Sequence, residues 1–425
     1  MSDIGGLPCA TTPEAVGFDT QRLSRLDDYM AGMVASGQVA GTSTLLMRHG
    51  RVVAFRTFGK ARLTDAAPLG RDAIFRIYSM TKPVAAAALM ILFEEGRWTL
   101  DDPVTRFLPE LADLKVYAGT DAQGEMVTED AVRAPTMREL MSHTAGFGYG
   151  LFDFHPVERA CRAAGVLAPG SLDDLVRRVA GVPLMFQPGT EWFYSIASDL
   201  QGLIVERISG MSFGAFLRER IFQPHGMVDA GFQTRPDNVH RLAAIYQGDD
   251  AGGLREATTA FGMPINDFTR APPMEGGGGG LVSTATDYAR FCQMILNRGE
   301  LDGVRILKPG AVDLMATNMI PDAVLATPNP FRLLPFSPAF GFGLGFSVML
   351  DPSAIDAVEG RGTLSWGGGG GTWFWIDPEN DVVFVGLIQR LADPVSDAFR
   401  KQARTLVYAA LTHPEKTDGP HRPLH

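Results

Sequence analysis

The stretch Phe75-Arg76-Ile77-Tyr78-Ser79-Met80-Thr81-Lys82-Pro83-Val84 decides how this 425-residue chain is read. It sets a serine and a lysine three residues apart where an apolar helix begins. Positions three apart on a helix share a face, with Cβ atoms roughly 5–6 Å apart. Pro83 marks the start of that helix, because proline is tolerated in the first turn, where its missing N–H is not needed. Ser79 is thereby placed within a residue or two of the N-terminus. Its own N–H is then unused and lies at the positive end of the macrodipole. A nucleophile, an amine and an N–H for a developing oxyanion would meet at one point, the layout of an acyl-transfer site. A Ser-x-x-Lys pair also arises by chance about once in a few hundred residues of ordinary composition, as an N-cap beside a solvated lysine. The following run Ala85-Ala86-Ala87-Ala88-Leu89-Met90-Ile91-Leu92-Phe93 argues for more. It is apolar nearly all round and reads as a buried helix that stops near Gly96. A lysine in the first turn of such a helix must face a cleft or a partner.

The chain is long enough for two lobes or one large domain. Apolar residues make up 45%, enough for a sizeable core. The formal net charge of −10 contains no basic block, which argues against a nucleic-acid partner. No run of about 18 apolar residues occurs, so neither a transmembrane helix nor a membrane partner is expected. The N-terminal Met1-Ser2-Asp3-Ile4-Gly5-Gly6-Leu7-Pro8-Cys9 lacks the basic and apolar regions of a signal peptide. Cys9, Cys161 and Cys292 are few, odd in number and far apart, as suits free thiols in a reducing compartment. The expected location is cytoplasmic.

Helical spacing covers Thr20 to Ser36, and Gly41–Met47 with Arg51–Phe58 reads as a hairpin turning at His49-Gly50. From about Leu100 to Asn297 the pattern is mostly helices joined by long loops. Strands are then expected at Gly341–Met349, Gly362–Trp366, Thr372–Ile376 and Val382–Gln389, with a last helix at Ser396–Leu411. Strands at both ends and helices between them imply one antiparallel sheet assembled from both termini. The expected division is a sheet lobe of residues 1–99 and 335–425 and a mainly helical lobe of residues 100–334. The Pro-rich loop 320–340 is expected at the rim of a cleft.

A serine nucleophile needs a base. Lys82 can take the proton only if burial or another cation strips its own. A phenol beside a lysine is the alternative, and Tyr194 in Gly189-Thr190-Glu191-Trp192-Phe193-Tyr194-Ser195 is the candidate. It precedes a helix expected at Asp199–Gly210. The competing reading makes Tyr194 an aromatic loop anchor with its hydroxyl on a carbonyl. Five glycines in Leu364-Ser365-Trp366-Gly367-Gly368-Gly369-Gly370-Gly371-Thr372 would let a ligand or backbone approach a strand end closely, or would simply make a flexible turn. A second run, Gly276–Gly280, lacks the Gly-Lys-Ser/Thr of a phosphate loop and reads as a turn before a helix capped near Thr286-Asp287. Gly210-Met211-Ser212-Phe213-Gly214 imitates a nucleophile elbow, but a helix and not a strand precedes it. Ser212 reads as an N-cap. No His-Glu-x-x-His and no clustered metal ligands occur, so no metal site is expected.

Taken together, Ser79-x-x-Lys82, Tyr194-Ser195 and Trp366-Gly367-Gly368 resemble the serine β-lactamase/penicillin-binding-protein superfamily, most closely its family VIII carboxylesterases. Leu140-Met141-Ser142-His143-Thr144-Ala145-Gly146 looks like that family's His-Thr-Ser-Gly segment. The resemblance runs from about residue 13 to 411. It implies a β-lactamase-like α/β fold with the active site in the cleft between the lobes, and cofactor-free acyl-enzyme chemistry. It also implies Ser79 as nucleophile, Lys82 and Tyr194 sharing general-base and general-acid duty, and the N–H groups of Ser79 and Gly369 as the oxyanion hole. Two departures bear on the substrate. Trp366 stands where the β-lactamases carry the lysine of Lys-Thr-Gly, and Ile196 stands where they carry the asparagine of Tyr-x-Asn. With Trp366, Gly367, Gly368 and Ile196 as substrate-binding residues, neutral apolar acyl groups are favoured over anionic β-lactams. The expected function is a carboxylesterase for short-chain esters with weak or no β-lactamase activity, against the alternatives of an acyltransferase, an amidase or a non-catalytic binding protein.

Overall fold

The computed structural model describes residues 3–249, 252–326, 339–355 and 357–412. Its centre is a seven-stranded antiparallel sheet drawn from both ends of the chain. Two strands come early, β1 (Gly41–Arg48) and β2 (Arg51–Gly59). Five come late: β3 (Phe340–Phe342), β4 (Ser347–Met349), β5 (Leu364–Gly367), β6 (Trp373–Asp377) and β7 (Val382–Ile388). The order across the sheet is β3-β4-β5-β6-β7-β1-β2, so β1 and β7 join the two chain ends through the register Thr42↔Ile388 to Arg48↔Val382. The β1–β2 hairpin turns at His49-Gly50, where both residues take positive φ (51° and 66°), the two-residue turn whose twist matches the strands.

Both faces of the sheet are covered, and alternation along the strands sorts the side chains between them. Leu46, Trp373, Trp375 and Phe384 join one cluster with Leu23, Leu26 and Met30 of the helix α1 (Thr20–Ala35) and with Phe399, Ala403 and Val407 of the helix Pro394–Ala409. Leu45, Met47, Phe374, Val383 and Val385 join the larger cluster with the helices Thr81–Glu94 (α2) and Ala285–Leu296. Trp375 stacks on its cross-strand partner Phe384 with centroids 4.2 Å apart. The helix α2 is buried from Thr81 to Leu92, as its all-round apolar sequence requires.

Several expectations need correcting. The expected single strand Gly341–Met349 is the hairpin β3–β4, in which Phe340 pairs with Met349 and Phe342 with Ser347. Gly343 and Gly345 (φ 92°) turn the chain, and Gly345 lets the hairpin tip rest on Lys82 and Ala86 of α2, where a Cβ would lie 2.7 Å from the Ala86 methyl. The last helix begins two residues early, at Pro394, because Asp393 caps it by accepting the Ser396 N–H. Thr284, and not Thr286, caps the helix after the second glycine run, accepting the Asp287 N–H. The middle of the chain, expected as mostly helices joined by long loops, also holds hairpins at Lys115–Thr120/Met126–Asp130 and Tyr246–Gly248/Leu254–Glu256. Of the loop 320–340, the helix Asp322–Ala326 is described, while 327–338 lie outside the described residues. Among the described residues no helix is long and apolar enough to cross a membrane.

Gly386 in β7 tests how tightly the sheet is packed. A Cβ there would lie 2.2 Å from the Trp373 indole. Gly386→Ala should lower the stability measured by urea unfolding by about 1–3 kcal/mol through overpacking. Superimposable unfolding curves for variant and wild type would contradict this packing.

Candidate active site

The backbone around Ser79 is held from four directions. Gln389, just past β7, accepts the Arg76 N–H and donates its amide back to the Arg76 carbonyl, both at 3.1 Å. The Ile77 N–H donates to the Leu281 carbonyl (3.1 Å), and the Ile77 carbonyl accepts from the Thr372 hydroxyl (3.2 Å). The Tyr288 hydroxyl donates to the Met80 carbonyl at 2.8 Å. Within this clamp Tyr78–Met80 form one tight turn that runs into α2 at Thr81. Its first hydrogen bonds are donated by Met80, to Ile77, and by Thr81, so the turn does not engage the Ser79 N–H as a donor. Tyr78 takes φ 43°, a left-handed conformation unfavourable to a bulky side chain, of the kind concentrated at functional sites.

Two side chains reach the Ser79 hydroxyl. The Tyr194 hydroxyl donates to Ser79 Oγ at 2.7 Å. Lys82 Nζ lies 3.4 Å from Ser79 Oγ and donates to the Gly278 carbonyl (2.6 Å) and the Tyr149 hydroxyl (3.0 Å). The three N–H bonds of one ammonium thus have three acceptors. Lys82 is 1% exposed, and its Nζ also sits 4.5 Å from the Tyr194 ring centre and 5.2 Å from that of Tyr149. Burial pushes the Tyr149 hydroxyl well above its ordinary pKa, reinforced by neighbouring Tyr194, Asp199 and Glu158. Tyr149 is therefore a phenol at working pH and holds Lys82 as an acceptor, while Tyr194 is the tyrosine in contact with Ser79 Oγ.

Tyr149, Asp199 and Gly278 were not legible as site residues. The loop carrying Tyr149 is shaped by buried Glu158, whose carboxylate accepts the N–H groups of Tyr149, Gly150 and Phe152. Asp199, in the first turn of the helix Ala197–Ser209, accepts the Gly278 N–H at 3.0 Å. Burial raises its carboxyl above the usual range, opposed by Lys82 and that N–H. The second glycine run is thus more than a turn, because it crosses the start of this helix. A Cβ on Gly277 would stand 2.2 Å from the Ser198 carbonyl, and one on Gly278 would stand 2.2 Å from Asp199 Oδ2. The only sequence signal was five glycines beside a helix start.

The expected site residues fall into place unequally. Gly368 packs where a Cβ would meet the Ile77 carbonyl at 2.2 Å, and Gly370 packs on the Tyr78 ring. Gly369 lies between them, so the end of β5 abuts the two residues before Ser79. Among the described residues the Gly369 N–H has no acceptor. Trp366 packs against Tyr194 (5.4 Å between centroids) and Phe342 (5.2 Å). Ile196, by contrast, is 2% exposed and lines a small void with Phe147, Cys161, Val179 and Val182, so it packs behind the Tyr194 loop. Ser212 is the N-cap of Phe213–Leu217, accepting the Ala215 N–H. Among the described residues no cluster of metal ligands occurs.

His143 fixes the Tyr194 loop from below. Its Nδ1 accepts the Ser195 N–H at 3.2 Å and lies 3.0 Å from the Ser195 hydroxyl, and its ring packs on Tyr194 and Trp192. Burial, and secondarily Lys82, holds the imidazole well below its ordinary pKa, so it is neutral and able to accept. The unfolded chain binds this proton below about pH 6.5 and the native chain does not, so stability falls as pH drops below that value. Between pH 7 and 5 wild type should lose stability more steeply than His143→Gln, by at most about 1.4 kcal/mol per pH unit. Parallel pH–stability curves from urea unfolding would show His143 is not buried neutral.

Comparison with known proteins gives the family of the chain. The Beta-lactamase family profile matches residues 26–409. Protein Rv1367c of Mycobacterium tuberculosis (strain ATCC 25618 / H37Rv) is 38% identical over 368 residues, 85% of this chain and 89% of that one. Esterase EstB of Burkholderia gladioli is 28% identical over 413 residues, covering 93% and 98% of the two chains. The solved structure of EstCE1, described as a hydrolase with promiscuous acyltransferase activity, superposes with a TM-score of 0.74 at 28% identity, covering 91% of this chain and 99% of its own. With such esterase relatives and a serine held between a tyrosine and a lysine, the chain belongs to the Beta-lactamase family, as a family VIII esterase-type serine hydrolase.

Proposed function

We propose that this protein hydrolyses short-chain carboxylic esters through an acyl-enzyme on Ser79, with weak or no activity on β-lactams. The observation that carries the proposal is the 2.7 Å contact between Tyr194 and Ser79 beside the buried Lys82 ammonium. In the reaction the pair starts one proton short, with Tyr194 as a phenolate held by the Lys82 ammonium, and Ser79 Oγ bonds to the ester carbonyl carbon while its proton passes to the Tyr194 oxygen. The carbonyl electrons move onto oxygen, which the Ser79 and Gly369 N–H groups receive. The same pair returns the proton to the leaving alkoxide, and water repeats the sequence to free the acid. Tyr194 and Lys82 act as one coupled unit, so a pH–rate profile reports the pair.

The division of the chain supports a cleft site. Ser79, Lys82 and Trp366 belong to the segments assigned to the sheet lobe, and Tyr149, Tyr194 and Gly278 to the helical segment. Trp366 favours neutral acyl groups. Its ring lies among Tyr194 and Phe342, so a substrate carboxylate meets an indole where a lysine would have met it. EstCE1 shows hydrolysis and acyl transfer together on this fold, so transfer to an alcohol is the second reading. It uses the same acyl-enzyme and differs in whether water or the alcohol attacks it.

The test is p-nitrophenyl ester hydrolysis across acyl lengths. Ser79→Ala should lower kcat by about 10³-fold or more, and Tyr194→Phe by about 10²–10⁴-fold. Ser212→Ala should leave it within about twofold, since only a cap is lost. A fluorophosphonate should label Ser79 stoichiometrically, and kcat/KM for nitrocefin should fall well below that for the butyrate ester. Retained turnover in Ser79→Ala would reject the nucleophile, and comparable nitrocefin hydrolysis would reject the substrate class.

A further inference from the structure

Arg400 lies in the helix Pro394–Ala409, opposite the glycine corner that ends β5. Its Nη2 donates to the Gly368 carbonyl at 2.9 Å, and the Gly371 N–H donates to the same oxygen at 3.0 Å. Gly367 makes room for this guanidinium, since a Cβ there would stand 2.6 Å from Arg400 Nη1 and 3.2 Å from Cζ. Among the described residues Arg400 makes no ion pair, and its Nε is buried without a hydrogen-bond partner. Asp397, three residues earlier on the helix, is a nearby carboxylate but forms no close ion pair with it, and for a part-buried guanidinium an apolar side chain would fill the space more cheaply. Among the described residues its hydrogen bond is to Gly368.

That carbonyl and the Gly369 N–H are the two ends of one planar trans peptide and point in opposite directions. Holding the oxygen from the helix side turns the N–H the other way. Among the described residues the Gly369 N–H is the end without an acceptor, and its neighbours Gly368 and Gly370 rest on Ile77 and Tyr78. We propose that Arg400 is a positioning residue for the oxyanion hole, locking the Gly368–Gly369 peptide so that its N–H faces the oxygen that becomes negative. This rests on the reading of Gly369 as an oxyanion donor. A charge-assisted bond at the carbonyl also polarises the peptide and strengthens the N–H as a donor. The contribution grows with negative charge on the substrate oxygen, so it belongs to the transition state and not to ester binding.

The experiment compares wild type with Arg400→Met and Arg400→Lys on p-nitrophenyl butyrate, and against an alkyl trifluoromethyl ketone and its matched methyl ketone. Ser79 Oγ adds to the fluorinated ketone's carbonyl carbon. The π pair becomes the oxyanion, the serine proton passes to the Tyr194–Lys82 pair, and nothing leaves. Arg400→Met should lower kcat by about 10- to 10²-fold, less than outright loss of an oxyanion donor, with KM within about threefold. The trifluoromethyl ketone should weaken by a similar factor and the methyl ketone should not. Arg400→Lys should recover part of the loss. Equal weakening of both ketones, or an unchanged kcat, would overturn the role of Arg400. If Arg400→Met does not fold, Arg400→Gln, which keeps a neutral donor, carries the same two-ketone comparison. A wild-type enzyme that binds the two ketones equally would instead overturn the oxyanion reading of Gly369, and the role of Arg400 with it. Wild-type discrimination that persists in the Arg400 variants would sink the role of Arg400 alone.

Discussion

The structure around the active site depends on a buried ammonium. Lys82 is 1% exposed inside the first turn of an apolar helix, and a cation there is untenable without acceptors on every side. The chain supplies Gly278 O, Tyr149 OH and Ser79 Oγ, and much of the surrounding architecture exists to hold them. Glu158 gathers the N–H groups of the Tyr149 loop. Asp199 takes the N–H of Gly278, the residue whose own carbonyl receives Lys82. Removing one acceptor would leave a buried charge under-satisfied, so stability and chemistry are tied to the same contacts.

Glycine serves this site by letting backbone reach backbone. Each of Gly367, Gly368 and Gly370 stands where a Cβ would collide with a different group: the Arg400 guanidinium, the Ile77 carbonyl and the Tyr78 ring. Gly277 and Gly278 do the same at the start of the helix Ala197–Ser209. Two glycine runs nearly ninety residues apart in sequence thus have one physical purpose. They bring strand end, helix start and the Ser79 turn closer than side chains allow. The aromatic rings of Tyr194, Trp366, Phe342 and His143 fill the remaining space, which makes this side of the site apolar and rigid.

Much of the fold was legible because its signals are local. The β1–β2 hairpin announced itself through alternation and His49-Gly50, and α2 through a continuous apolar run. Where signals were short or mixed, reading failed. Gly341–Met349 reads as one strand because its apolar content continues through Gly343 and Gly345, and only contact with α2 shows that the chain reverses there. The exposed hairpin Lys115–Thr120/Met126–Asp130 carries little hydrophobic alternation, so nothing set it apart from loop.

The sequence by itself determined the chemistry-bearing types. Ser79 and Lys82 sit at fixed helical spacing before a buried run, Pro83 marks the helix start, and Tyr194 and Trp366-Gly367-Gly368 stand in loops of distinctive composition. Those are properties of neighbours along the chain. The tertiary structure alone decided which groups meet: that Tyr149 and not only Tyr194 faces Lys82, that Ile196 packs inward, that Asp199 and Gly278 share a bond, and that Arg400 reaches the Gly368 carbonyl. Each of these contacts joins residues separated by tens to hundreds of positions. Their energies depend on burial and distance, and neither quantity exists until the sheet has brought the two ends of the chain together.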